Sequence, residues 1–191
     1  MLCECLLTSH DTKRATKKLN KSSNLKISRN DAGKLYIKGG EVKNDYDKAL
    51  KAAITDSKIT VNLKANSVKK IAVDGKVGKI TLGAYGGSYS KNGKTEAIQF
   101  VNMDQAETVE KAGVMKAGNI VGHEVIESHL AAKENNGNNR ANTKNGDKAF
   151  NVGHNAAIKA DKNFVEITNE IRLGGSTFVI FKGRKEGVKL D

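Results

Sequence analysis

The chain has no proline and no tryptophan, only two cysteines, and aromatic residues at just 5% of its 191 positions. Without proline, turns fall to glycine, asparagine and aspartate, which accept positive φ or bond their own backbone. Scarce aromatics predict an aliphatic core of Ile, Val, Leu and Ala. Cys3 and Cys5 are too few and too close together for a disulfide framework or a structural zinc site, so the fold must hold without bridges. No apolar run approaches eighteen residues, which excludes a helical membrane span. The opening "MLCECLL" carries Glu4 and lacks a basic leader, so it makes a poor signal peptide. Localisation stays open between the cytoplasm and delivery as the C-terminal part of a secreted protein.

Positive charge is what the chain has in excess: 33 Lys and Arg against 21 Asp and Glu give a formal net charge of +12. Such a balance attracts nucleic acid, an anionic membrane surface or an acidic protein, and says nothing about fold. Residues 1–30 hold seven basic and two acidic side chains and predict a flexible basic arm. No aromatic residue is interleaved there to stack on a base, and His10, within the arm, is expected to be idle.

After residue 30 the periodicity sharpens. Leu35 and Ile37 suggest a short strand. Tyr46, Leu50, Ala53 and Ile54 fall at helical spacing behind a cap at Asn44 or Asp45, predicting a helix over 45–56. Ile59, Val61 and Leu63 alternate as in a strand, a turn follows at Asp74–Gly75, and Asn92–Gly93 opens another strand. Glycines at 113, 118 and 122 argue for two helices, near 104–111 and 118–133. A polar loop is predicted at 134–148. Helical spacing resumes from residue 149 with a break near Lys162–Asn163, and a strand from Ser176 closes the chain with a hairpin near Gly183. Together these predict one α+β domain over 31–191, a mixed or antiparallel sheet packed against helices.

Within "GNIVGHEVIESHL" stand four titratable side chains: His123, Glu124, Glu127 and His129. Buried unpaired, each would cost several kcal/mol, about 2–7 for a neutral polar group alone. On a helix, His123 and Glu127 lie about 40° apart and Glu124 about 60° from Glu127, whereas His129 lies about 240° from His123. The first three can face one cleft. Zinc takes three protein ligands and a water in hydrolytic sites, and a carboxylate beside the first ligand can take the water's proton. That pattern makes His123 and Glu127 candidate ligands and Glu124 a candidate general base. The third ligand is expected at His154 in "NVGHNAAIKAD", with Asp161 a weaker candidate as ligand or as acceptor for a histidine N–H.

"HEVIE" resembles the His-Glu-x-x-His signature of zincin metallopeptidases, with glutamate in place of the second histidine. The order of elements also resembles a minimal zincin. The resemblance implies Zn2+ held by His123, Glu127 and His154, with Glu124 as base. It implies a peptide or protein substrate bound along an edge strand, matched by "GGSYSKNGKTEAIQFVN" at 86–102. The chain is also similar in style to C-terminal toxin or effector domains of large bacterial repeat proteins, which implies a cognate immunity protein as partner.

Other readings stay open. Glu124 and Glu127 could lie on a solvated helix face of a non-catalytic interaction module. The +12 charge would suit a metal-dependent nuclease toxin, although no stacking platform or basic recognition helix is present. Arg172 could bind a substrate carboxylate or pair within its own strand with Glu170. Tyr85 and Tyr89, four apart on a strand, are expected on one face, where a phenol could stabilise an oxyanion.

Overall fold

The computed structural model describes residues 9–30, 34–68, 70–73, 76–174 and 176–190. Cys3, Cys5 and the Asp74–Gly75 turn lie outside them. The fold is α+β, with mixed and antiparallel sheets packed against helices.

Its centre is helix α4, Ala117–Ala131. Apolar residues occupy every side of this helix, and every residue except Leu130 is buried. A helix apolar all round must be enclosed, and neighbours enclose this one on all sides. Helix α1 (Ser9–Ser22) crosses it closely: a methyl group on Gly118 would overlap the Lys18 backbone. Helix α5 (Lys144–Ala160) lies along another flank, where Gly153 sits against the Glu127 carbonyl and Ala131. Helix α2 (Asp45–Thr55) is capped by the Asn44 side chain, which accepts from the Asp47 N–H, as the sequence suggested.

The remaining flank is a four-stranded sheet. Strand β3 (Ile59–Asn66) runs parallel to β7 (Lys94–Asn102), which pairs antiparallel with β6 (Gly83–Lys91). The two-residue β8 (Asn139–Arg140) pairs with β6 only at Gly87 and Ser88. Three smaller sheets complete the set. They are β1 (Leu25–Arg29) with β2 (Leu35–Gly40), β4 (Lys70–Val73) with β5 (Lys76–Lys79), and the order β11–β10–β9. In that last sheet β9 is Ile167–Leu173, β10 is Ser176–Phe181 and β11 is Val188–Lys189, with Gly183 at positive φ in the turn after β10.

Four expectations need correction. Residues 9–29 form α1 and β1 instead of a flexible arm, and Ala15, Leu19, Leu25 and Ile27 enter the main core with Leu50, Val121 and Ile126. Two of their basic side chains, Arg14 and Lys18, are held by acids of helix α3 (Met103–Lys111). Arg14 reaches Asp104 at 2.8 Å and Glu107 at 3.0 Å, and Lys18 pairs with Glu110. Arg14 and Lys18, which read as solvated in sequence, are counter-ions in space.

The polar loop at 134–148 is only partly a loop. It holds a single 3-10 turn at Glu134–Gly137, then β8, and α5 begins at Lys144 behind Thr143, whose hydroxyl accepts from the Gly146 N–H. Helical spacing does not carry on past Ala160: Ile167–Leu173 is strand β9, its apolar residues alternating against β10. The segment 86–102 is a hairpin, not one edge strand, and its second half, β7, is interior.

Candidate metal centre

His123, Glu127 and His154 converge. One ligand atom from each lies within 4.8 Å of the other two, and this trio could hold a metal ion. His123 and Glu127 come from successive turns of α4, and α5 brings His154 across from the opposite flank. His123 Nε2 stands 3.5 Å from Glu127 Oε2 and 3.2 Å from His154 Nδ1. His154 Nδ1 and Glu127 Oε2 are 2.7 Å apart, an N–H···O hydrogen bond. Ligands about 2.0–2.2 Å from a tetrahedral zinc stand roughly 3.3–3.5 Å from each other. Two of the three separations already match that spacing, and the shorter one is that of a proton shared between His154 and Glu127.

The surroundings fix these groups. The His123 ring stacks on Phe164 with centroids 3.6 Å apart and planes 8° from parallel. Phe150 stacks on His154 at 5.4 Å. His123 and Glu127 are buried, while His154 keeps about a third of its side chain exposed and forms the mouth of the site. His123 Nδ1 is buried without a hydrogen-bond partner among the described residues. Asp161, also buried, accepts from Asn119 Nδ2 at 3.1 and 3.3 Å instead of bonding a histidine. Burial raises the Asp161 carboxyl, and the Asn119 hydrogen bond opposes that.

The two glutamates have opposite protonation tendencies. Burial first, then the charge of Glu127, pushes Glu124 well above the usual carboxylate range. Burial would raise Glu127 too, but hydrogen bonds from His123 and His154 outweigh it and hold Glu127 low. Glu127 in turn raises His154, against its burial.

Glu124 does not join the trio. Its carboxylate is turned to the sheet, accepting from Gln99 Nε2 of β7, and it fills the space a side chain at Gly83 of β6 would need. Gln99 is fully buried and its Oε1 has no hydrogen-bond partner among the described residues. Beside these residues a cleft of about 470 Å3 runs between β6 and α5, lined by Gly83, Ala84 and Tyr85 on one wall and Asp147 and Phe150 on the other.

The neighbours named earlier fall into place. Tyr85 and Tyr89 are on opposite faces, because a bulge between Tyr85 and Ser88 shifts the register by one. Tyr85 pairs opposite Gln99 on the α4 side and bonds Ser88 Oγ at 3.0 Å, whereas Tyr89 points outward to Glu96 at 2.6 Å. Arg172 pairs with Glu170 within β9, and Glu170 bonds Thr81. His129 is buried against Asp56 at 3.0 Å, away from the trio. The burial of Glu124 and Glu127 removes the solvated-helix reading.

Gln99, Gly83 and Phe164 were not singled out from sequence. A buried Gln in the strand "TEAIQFV" was the one legible signal; the other contacts arise only from packing. Comparison with models of known families, with curated proteins and with solved structures returns no match. No helix among the described residues is long and apolar enough to cross a membrane.

Proposed function

We propose that the chain is a zinc-dependent hydrolase acting on peptide bonds, with a zincin-like division of labour on a minimal α+β scaffold. The observation that carries this reading is the convergence of His123, Glu127 and His154, whose ligand atoms lie within 4.8 Å of one another, beside a desolvated Glu124. Two imidazoles and a carboxylate are a donor set zinc accepts. Zinc bound there supplies Lewis-acid polarisation of the scissile carbonyl and lowers the pKa of water toward neutrality.

The remaining chemistry falls to side chains. Glu124 takes a proton from the attacking water as the water oxygen bonds to the carbonyl carbon. As the C–N bond breaks, Glu124 returns that proton to the departing amine. A carboxyl whose burial raises its affinity for protons is suited to both steps. Gln99 and Gly83 fix where it points. The edge of β6 between Gly83 and Gly86, beyond the reach of β8, offers backbone for an extended peptide. An active domain of this kind would suit a bacterial toxin or effector, with an immunity protein as its natural partner.

The test is chelator-sensitive cleavage of an unfolded protein such as casein, by wild type and by Glu124→Gln. The proposal predicts that Glu124→Gln keeps its metal and loses at least about 100-fold in rate. Cleavage that persists in Glu124→Gln, or that acts on RNA or plasmid and not on peptides, would contradict it.

A further inference from the structure

The second feature of the molecule that calls for a ligand lies on the other side of the sheet's edge and owes nothing to the metal trio. Strand β3 is the end strand of the four-stranded sheet, paired with β7 along one side and with no strand along the other among the described residues. Open edges of this length are normally shortened, bulged, charged or covered, because a row of free N–H and C=O groups templates another strand. Here the ladder of β3 with β7 runs all eight residues without a register shift. Its one cation, Lys64, lies over the Phe100 ring at 5.7 Å.

Beside this edge runs a groove of about 440 Å3, lined by every residue from Ile59 to Lys64. Six residues of strand are roughly 20 Å long. The far wall is α1, with Ala15 and Leu19, and the floor includes Val125 of α4. Ile59, Val61 and Leu63 point to the helix side and Thr60, Asn62 and Lys64 to the outer face, as their partners Thr95, Ala97 and Gln99 against Glu96, Ile98 and Phe100 require. An added strand would therefore meet an apolar surface on one side and a polar one on the other.

Charge decides what kind of strand. The charged residues lining the groove are Lys34, Lys64 and Asp56. Asp56 is already spent inside the protein: Oδ2 faces His129 at 3.0 Å, and Oδ1 accepts from the N–H groups of Lys58 and Ile59. The lysines have no ion-pair partner among the described residues. A second copy of the chain would bring another +12 and be repelled.

We infer that the β3 edge is a docking site for an extended, acidic segment of a partner protein, which adds a fifth strand to the sheet with acidic side chains toward Lys34 and Lys64 and apolar ones against Val61 and Leu63. None of His123, Glu127 and His154 lines this groove, so such a partner binds without covering them.

The experiment uses the full chain and a fluorescent ten-residue peptide in which glutamate alternates with valine, its lysine–valine counterpart, and the glutamate peptide N-methylated at every second residue. At low salt the glutamate peptide is expected to bind at least about tenfold tighter than the lysine one and to weaken as salt rises. N-methylation is expected to cost about tenfold or more, because it removes the hydrogen bonds of strand addition and leaves charge unchanged. Lys34→Glu with Lys64→Glu, two surface changes that spare the core, should invert the preference. Binding should slow amide exchange within 60–64. Equal affinity for the two charges, indifference to N-methylation, or absence of binding overturns the proposal. So does exchange at 60–64 that is already slow in the free chain, or dimerisation through this edge.

Discussion

Two buried histidines stand six residues apart on α4, each beside a carboxylate, and they are built differently. His129 faces Asp56, whose remaining oxygen is occupied by two backbone N–H groups. Both Asp56 oxygens have partners, and the one other charged group acting on His129 is the cation Lys133. At His123 one carboxylate oxygen, Glu127 Oε2, is approached by two imidazoles, and a ring nitrogen of His123 is left without a partner. A closed pair needs nothing more to be stable. Three ligand atoms that crowd one point, two of them around a single carboxylate oxygen, could be completed by a cation. The two histidines are equally buried and differ in how many ligand atoms converge on them: one carboxylate at His129, a carboxylate and a second imidazole at His123.

This contrast can be broken at either end. The largest effect is expected at the open cluster: Glu127→Ala should lower zinc affinity by more than about 100-fold, whereas His129→Ala should leave it within about twofold, both measured by competition with a chromogenic chelator. Next comes Gly83→Ala. Its methyl group displaces the Glu124 carboxylate, so peptide hydrolysis should fall about 100-fold while zinc binding is retained. A loss of zinc in this variant would show that Glu124 is a ligand and not a base.

The closed pair should show its importance in stability instead. His129→Ala leaves Asp56 without its side-chain partner and opens a cavity, and should cost about 1–3 kcal/mol in urea unfolding. The smallest effect is a pH slope. Burial holds the His129 pKa below its ordinary value, with Asp56 partly offsetting this. The unfolded chain then binds a proton more readily as pH falls through about 6.5, so the contribution of His129 is present above that pH and lost below it. Stability of the wild type relative to His129→Gln should therefore decline between about pH 7 and pH 5. A difference independent of pH would contradict the assignment of His129 as a buried neutral ring.

Much of the trio was legible from spacing alone. His123 and Glu127 four apart, and a second Gly-His ahead of an apolar helical run, were enough to bring three ligand candidates together. The strand Ile59–Leu63 and the helix capped by Asn44 were legible for the same reason, a clean period of 2 or 3.6. What escaped was set by partners distant in the chain. Ala15 and Leu19 are only two apolar positions in a basic stretch, and nothing local says that α3 will supply the acids for Arg14 and Lys18. Residues 144–148 read as loop because Asn, Gly and Asp favour turns, although Thr143 is a sound helix cap. The bulge that separates Tyr85 from Tyr89 is one residue of register, invisible to any count of alternation. Glu124 was assigned by its place after His123, but its contacts with Gln99 and Gly83 belong to the sheet.

The most direct measurement is a zinc titration of the metal-stripped chain, followed by calorimetry, on wild type, His154→Ala and His129→Ala. One zinc per chain for wild type and for His129→Ala, with binding lost in His154→Ala, is the predicted result. Zinc held as tightly by His154→Ala as by wild type, or no zinc held by any of the three, would contradict a cation site shared between α4 and α5.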